Sequence, residues 1–494
     1  MMPEVPRLRL TQTFLAVLLT FSVPLAAASL QERVQGVIDA APPSVRGWTA
    51  IQVVDLTNGA VLFAQNPDQL LLPASNLKLF TVAMALMRLN PDYRFVTRLV
   101  HVPSGDVTLI GAGDPSMSDR IYPSEDSKRG EDSKLPKNPL QAMEALADQA
   151  VAAGLTRIDG NVIGDDSRYA WDPYPASWTA DDLGHEYGAP VSALTLNDNT
   201  IAVSVRPGTR PGQLAKVILT PPIEYFAIDN QVTTVAGRAT LPVRMRLIPG
   251  TRQVLLTGTL ATGSIGTSEI FPVDDPALFA ATALYDALLR RGVAIYGRPV
   301  ARHRSSGGAS PEITGTQLAR RVSPPLLEIL TVLEKSSQNL HTELVLREAG
   351  VVLQKDGSLA GGLRALDAFL PTVGVNTKEV VMEDAAGLAR NDEVTAQALT
   401  QLLQSMNASA YRDVWLSFLP VGGEDGTLSK RLCCTSGGRI RAKTGTLARS
   451  VALSGYADSK SSGTLAFAIL VNNFAAPISE VRAWVDKLAS ALVE

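Results

Sequence analysis

The sequence predicts an α+β fold: a helix-and-sheet domain made from both ends of the chain, with a β-rich insertion between them. Three observations predict it. Ile- and Val-rich strand segments stand near both termini, at residues 48–65 and 440–471. The stretch beyond Pro324 is helical in texture until those last strands begin. Between Pro190 and Gly266, short β-like runs are separated by Gly and Pro, the spacing of a small all-β module.

Composition bounds the function. The chain has 494 residues, and at about 150 residues per domain that suggests three domains. Its 45 basic and 48 acidic side chains leave a formal charge of −3. That balance carries neither the basic footprint of a nucleic-acid binder nor an acidic tail, so no nucleic-acid partner is expected. Apolar content of 46% with 19% charged residues excludes wholesale disorder. Two cysteines and the four histidines (His101, His185, His303, His341) are too few and too scattered for a zinc cluster. No metal site and no cofactor are expected. The vicinal Cys433-Cys434 would make a strained bridge and are read as ordinary small residues.

In chain order, Arg7 and Arg9 precede an apolar run from Phe14 to Ala28 that ends Ala26-Ala27-Ala28. A basic start, a short apolar run and an Ala-x-Ala exit predict a cleavable secretory signal over residues 1–28, the alternative being an uncleaved anchor. No later segment is apolar for long enough to span a membrane. Trp48 to Asp55 predicts a strand, Thr57-Asn58-Gly59 a hairpin turn, and Val61 to Gln65 the returning strand. Pro73-Ala74-Ser75 opens a helix to about Leu89 whose apolar residues cover most of its circumference, which predicts burial. Arg98–Val102 and Asp106–Ile110 predict strands, and Ser124–Lys137 a loop. Ile201–Val205, Ala215–Leu219, Val243–Leu247 and Val254–Leu256 are the strands of the β-rich insert. Pro276–Arg291 predicts a helix, and Arg302–Pro311 a linker. Helices follow at Leu326–Glu334, Leu340–Ala349 and Thr395–Met406, then strands at Ile440–Lys443, Ser450–Ala457 and Leu465–Val471. The last helix, Ile478–Leu492, places Val481, Trp484, Val485, Leu488 and Leu492 on one buried face.

Three short motifs carry chemistry. Ser75-Asn76-Leu77-Lys78 puts a hydroxyl and an ammonium on one helical face, three residues apart. A Lys within an apolar helix is costly to bury charged, so its pKa falls and it becomes a base. Lys443-Thr444-Gly445 ends an alternating run, where a Gly lets a ligand backbone lie close while the cation and hydroxyl meet a carboxylate. Ser-x-Asn occurs twice, as Ser337-Gln338-Asn339 and Ser405-Met406-Asn407. The second lies at the tail of an amphipathic helix only 38 residues before Lys443, and the first, between two helices, is preferred. Each motif alone is weak.

Together, in the order Ser-x-x-Lys, Ser-x-Asn, Lys-Thr-Gly, they are the signature set of penicillin-binding proteins and class A β-lactamases. The 262 residues from Ser75 to Ser337 exceed what a compact β-lactamase accommodates without an inserted domain. The chain resembles the D-alanyl-D-alanine carboxypeptidase/endopeptidase family of low-molecular-mass class C penicillin-binding proteins (serine peptidase family S13), which carries two extra domains between the first two motifs. The resemblance spans the mature chain. It includes Gly111-Ala112-Gly113-Asp114-Pro115, Gly164–Tyr169, Asp384–Arg390, Leu419–Gly423 with Gly426-Thr427-Leu428, and Ala442–Thr446. Gln338 stands where Asp is common and Ala386 where Ser is common.

The resemblance implies a penicillin-binding, transpeptidase-like domain over residues 29–101 plus 318–494, an antiparallel sheet flanked by helices. The insertion would cover 102–317, with about 102–189 plus 267–317 as one domain and about 190–266 as a nested β subdomain. It implies that Ser75 attacks a D-alanyl peptide bond of a peptidoglycan stem peptide, with Lys78 as base. Ser337 passes a proton to the leaving group and Asn339 orients the acyl chain. Lys443 and Thr444 hold the substrate carboxylate, Gly445 and Thr446 complete the substrate-binding strand, and the N–H groups of Ser75 and Thr446 form the oxyanion hole. β-Lactams would be covalent inhibitors and the location would be the periplasm or cell-wall space. Arg390 is a further substrate-binding candidate, and Asp166, beside Asp165, Ser167 and Arg168, belongs to a polar cluster that would either contact the stem peptide or be a solvated turn. The rival readings are a β-lactamase or Ser-Lys esterase, and a peptidoglycan-binding protein without turnover.

Overall fold

Asp55 ends the Trp48–Asp55 strand and turns it: its carboxylate accepts the Thr57 N–H at 2.7 Å and Asn58 Nδ2 at 2.9 Å, while Gly59 takes φ 76°. Val61–Gln65 then returns antiparallel. On its other side Trp48–Asp55 pairs with Gly463–Asn472, followed outward by Ser450–Ser459 and, at the edge, Ile440–Leu447. Both chain ends thus build one five-stranded antiparallel sheet. The computed structural model describes residue 1 and residues 29–120, 138–309, 311–433 and 438–494. The expected signal segment beyond Met1, the Ser124–Lys137 loop, and Cys434 lie outside the described residues.

Alternation along these strands decides which helices cover which face. Ile51, Val53, Leu453 and Ile469 pack under helices Leu30–Ala40 and Ile478–Leu492, with Val34, Ile38, Val485 and Leu488. Ala50, Ala452, Ala468 and Leu470 face the opposite way, onto helices Lys78–Arg88 and Ala396–Ala408. Small residues on that second face let the Lys78–Arg88 helix sit close, and it is buried from Lys78 through Leu86, as its all-round apolar pattern predicts.

A second five-stranded sheet, mixed in direction, runs Pro299–Arg302, Val162–Asp165, Val107–Ile110, Val96–His101, Thr316–Val322. It takes in Val96–His101 and Thr316–Val322, so the insertion's own sheet reaches back to Val96 and forward to Val322. Its core includes Leu99, Leu109, Leu146, Ala280 and Leu284. Beyond it, Thr200–Arg206 pairs with Thr267–Pro272 and Lys216–Thr220, and two smaller sheets complete the β-rich insert. The segment read as a linker is tied down instead. Arg302 pairs in the sheet, His303 bonds Asp166, and Arg304 Nε donates to Ser167 O at 2.7 Å.

Candidate active site

Ser75 lies in the single 3₁₀ turn Ala74–Leu77, and Lys78 opens the helix behind it. The turn is entered through a left-handed Ala74, φ 48°, a conformation that costs on the order of 1 kcal/mol for a residue with a Cβ. Its neighbours hold it there. Gly387, itself at φ 75°, lies so close that a Cβ on it would stand 2.0 Å from Ala74 O. A Cβ on Gly445 would meet Pro73 O at 2.6 Å and Asn76 Nδ2 at 2.9 Å. The glycine of Lys-Thr-Gly is therefore what lets the edge strand press against the nucleophile's turn, and Asn76 Nδ2 donates to Lys443 O at 3.2 Å across that contact.

Lys78 is fully buried. Its Nζ lies 3.0 Å from Ser75 Oγ and 2.7 Å from Asn339 Oδ1, and it donates to Ala386 O. Burial and then the charge of Lys443 bring its pKa down to about 7, opposed in part by Asp384, Glu334 and Glu343. At neutral pH a large fraction of Lys78 is therefore the free amine, which can accept the Ser75 proton.

Ser337 terminates helix Leu326–Ser336 in left-handed backbone, φ 57° and ψ 43°. That turn aims its hydroxyl across the cleft, where Lys443 Nζ donates to it at 2.7 Å. Asn339, two residues on, starts the next helix and bridges Lys78 to the insertion, its Nδ2 donating to Tyr187 O at 2.9 Å. Thr444 Oγ1 donates to Thr427 Oγ1 at 2.8 Å, and Arg482 Nε reaches Thr446 Oγ1 at 3.3 Å. The side chains thus form one cluster of two hydrogen-bonded groups, Ser75–Lys78–Asn339 and Ser337–Lys443, drawn together from three separate stretches of chain. The other Ser-x-Asn, at Ser405, stays inside helix Ala396–Ala408, where Asn407 Oδ1 accepts Arg412 Nε.

Two buried carboxylates that carry no catalytic motif hold the carbonyl facing Lys78. Asp384 accepts the N–H groups of Gly387, Leu388 and Ala389 at 2.6–2.9 Å, and Trp178 Nε1 at 2.7 Å. Glu343 accepts those of Ala385 and Ala386 at 2.6 and 3.1 Å while paired with Arg347 at 2.6 Å. Arg390 ends the same loop and pairs with Asp182 of the insertion at 3.1 Å. Asp166 is not brought into the cluster. Its carboxylate is buried and turned inward, bonded by Ser192 Oγ at 2.9 Å and His303 Nδ1 at 3.0 Å.

Glu334 is the acid sequence reasoning missed. It is fully buried one turn before Ser337, and neither carboxylate oxygen has a hydrogen-bond partner among the described residues. Burial raises its pKa, opposed by the charges of Lys443 and Lys78. Reciprocally, its negative charge supports the ammonium form of Lys443, which burial pulls down. Removing that charge lowers the pKa of both lysines. Glu334→Gln is therefore expected to move both limbs of the acylation pH profile to lower pH, by on the order of one unit. The upper limb moves because Lys443 loses its charge sooner, the lower because Lys78 frees its amine sooner. Penicillin-acylation rates across the pH range check this.

A half-buried Ser beside a buried Lys, a Ser-x-Asn turn and a Lys-Thr-Gly edge strand in mutual contact are a geometry suited to acyl transfer to serine. The family model described as D-Ala-D-Ala carboxypeptidase 3 (S13) matches residues 30–492, nearly the whole chain. The chain belongs to that S13 family. It is 31% identical over 470 residues to a D-alanyl-D-alanine carboxypeptidase of Actinomadura sp., covering 91% of this chain and 82% of that one. Its fold is similar to crystal structures of penicillin-binding protein 4 from Haemophilus influenzae. One superposes with TM-score 0.74 at 19% identity over 93% of this chain and 98% of the other. A second, complexed with a β-lactam, gives TM-score 0.71 at 20% identity, with the same coverage.

Proposed function

We propose that this S13 peptidase hydrolyses D-alanyl peptide bonds of peptidoglycan through an acyl-enzyme on Ser75, as carboxypeptidase, endopeptidase or both. The single observation that carries the mechanism is the Lys78 Nζ to Ser75 Oγ contact at 3.0 Å with a buried, pKa-lowered amine. Lys78 takes the hydroxyl proton as Ser75 Oγ bonds to the carbonyl carbon. The oxyanion falls to the backbone N–H groups of Ser75 and Thr446, the pair the family resemblance implies; such a donor is worth about 3 kcal/mol. Ser337, hydrogen-bonded to Lys443, relays the proton that Lys78 took from Ser75 to the leaving amine, so that Lys78 is again the free amine and Ser337 keeps its hydroxyl. The C–N bond breaks, and water later cleaves the ester.

Lys443 and Thr444 receive the terminal carboxylate, and the stem peptide lies along the edge strand, where an added strand finds backbone partners. Asn339 orients the acyl chain and Arg390, at the seam with the insertion, contacts its distal part. Asp166 contributes by holding the insertion's fold around that seam. Penicillins present the same carboxylate and acyl carbonyl, so they acylate Ser75. No helix among the described residues is long and apolar enough to cross a membrane. The N-terminal signal pattern and the cell-wall substrate support an exported protein working in the periplasm or cell-wall space. The test is D-alanine release from a pentapeptide muropeptide: turnover with release is expected, and penicillin labelling without release would favour a binding protein that does not turn over.

A further inference from the structure

Asn197, Asp198 and Asn199 form one turn of left-handed backbone, φ 49°, 53° and 58°. Three such residues in succession are strained, Asn and Asp being the side chains that tolerate it best, and the strain persists because the surroundings fix it. The Asn197 N–H donates to Met117 O at 2.7 Å and its side chain to Thr200 O at 2.9 Å. Asn199 Nδ2 donates to Pro190 O at 2.8 Å while its Oδ1 accepts the Leu196 N–H at 3.2 Å. What this rigid turn projects is the Asp198 carboxylate.

Asp198 points across the seam at the Ser-x-Asn turn. Within the insertion it accepts Arg120 Nε at 2.6 Å; from the catalytic side it accepts Gln338 Nε2 at 3.0 Å and meets His341 Nε2 at 3.0 Å. Gln338 is the residue between Ser337 and Asn339, and its Oε1 accepts the Leu340 N–H at 3.0 Å, so its amide is held at both ends. A small cleft of about 190 Å³ opens at this seam, lined by Arg120, Tyr187, Asp198, Ser337 and Asn339. One strained turn, in the insertion, therefore braces another, the left-handed Ser337, at the edge of the reactive cluster.

We infer that Asp198 is a positioning residue for acylation: by holding the Gln338 amide it keeps the Ser337 hydroxyl on Lys443 and the Asn339 carbonyl on Lys78. The insertion is then part of the acylation apparatus and not only a platform for the polymer. The inference rests on Ser75 being the acylated nucleophile. It also demands a neutral donor at position 338, because a carboxylate there would stand against that of Asp198.

Acylation by a fluorescent penicillin, alongside thermal unfolding, tests it with three variants of the full chain. Asp198→Ala is expected to slow acylation 10- to 100-fold at temperatures where the chain stays folded, although losing the partner of the buried His341 lowers its unfolding temperature. Gln338→Glu sets two carboxylates together and is expected to lose as much. Adding Asp198→Asn to Gln338→Glu reverses donor and acceptor across the seam and is expected to recover at least tenfold over Gln338→Glu alone, which a merely structural role would not do. Wild-type rates in Asp198→Ala, or no recovery in the double variant, overturn the inference. Should Asp198→Ala fail to fold, the comparison of Gln338→Glu with the double variant still decides. A wild-type protein that takes no label at all would defeat the Ser75 reading instead.

Discussion

Ser75→Ala is expected to abolish covalent penicillin labelling while leaving the fold in place. Ser75 is half-buried, and among the described residues its hydroxyl has one hydrogen bond, the one it receives from Lys78. Deleting it removes a single hydrogen bond, about 1 kcal/mol, from a chain whose cores lie elsewhere. Lys78 keeps Asn339 and Ala386 as partners, so no buried amine is stranded. The chemistry has no such reserve: without Oγ there is no atom to form the ester, and among the described residues no other hydroxyl is hydrogen-bonded to Lys78 Nζ. Gel fluorescence after labelling, with thermal unfolding of the same sample, checks both halves. Retained label would place the nucleophile elsewhere and undo the mechanism.

Much of this site was legible because each motif is short and its chemistry local. The hairpin at Asp55–Gly59, the buried Lys78–Arg88 helix and the last amphipathic helix followed from turn residues and periodicity alone. Other elements were hidden for physical reasons. The helix Leu359–Phe369 carries Gly361 and Gly362, which reads against a helix. Gly362 is needed because a Cβ there would stand 2.7 Å from the Leu346 side chain of the neighbouring helix. Glu334 sits in an amphipathic helix, where an acid ordinarily marks the wet face, and only the folded cleft shows it enclosed with two lysines. Asp384 and Glu343 act by accepting backbone N–H groups, which no side-chain pattern reports.

Asp198 was the least legible. Its partners Gln338 and His341 are 140 and 143 residues away, and nothing local in Asn197-Asp198-Asn199 says that the turn faces another domain. The docking continues along the helix that Asn339 begins. Arg168 forks onto Glu348 at 2.5 and 2.9 Å, and Tyr169 OH donates to the same carboxylate at 3.0 Å. The stretch around Asp166, singled out for its charges, thus serves this docking through its neighbours, while Asp166 itself is satisfied inside the insertion.

Ser337→Ala is expected to slow acylation by about 10²- to 10⁴-fold, the range for losing a positioned proton-transfer group, whereas Ser405→Ala is expected to be near neutral. The two serines have the same local pattern and opposite surroundings. Ser337 stands in a left-handed turn with its hydroxyl 2.7 Å from Lys443 Nζ, two residues before the Asn339 that meets Lys78. Ser405 lies within a regular helix packed on the sheet, and its Asn407 is taken by Arg412. On the mechanism proposed above, removing the Ser337 hydroxyl leaves the leaving nitrogen without its proton relay, and it takes from Lys443 one of its two acceptors, the other being Thr444 O. Ser75 and Lys78 remain, so a slow residual acylation is expected, unlike the complete loss in Ser75→Ala. Second-order acylation rates for both variants check the ranking; a larger loss at Ser405 would mean that the proton path does not pass through the Ser337 turn.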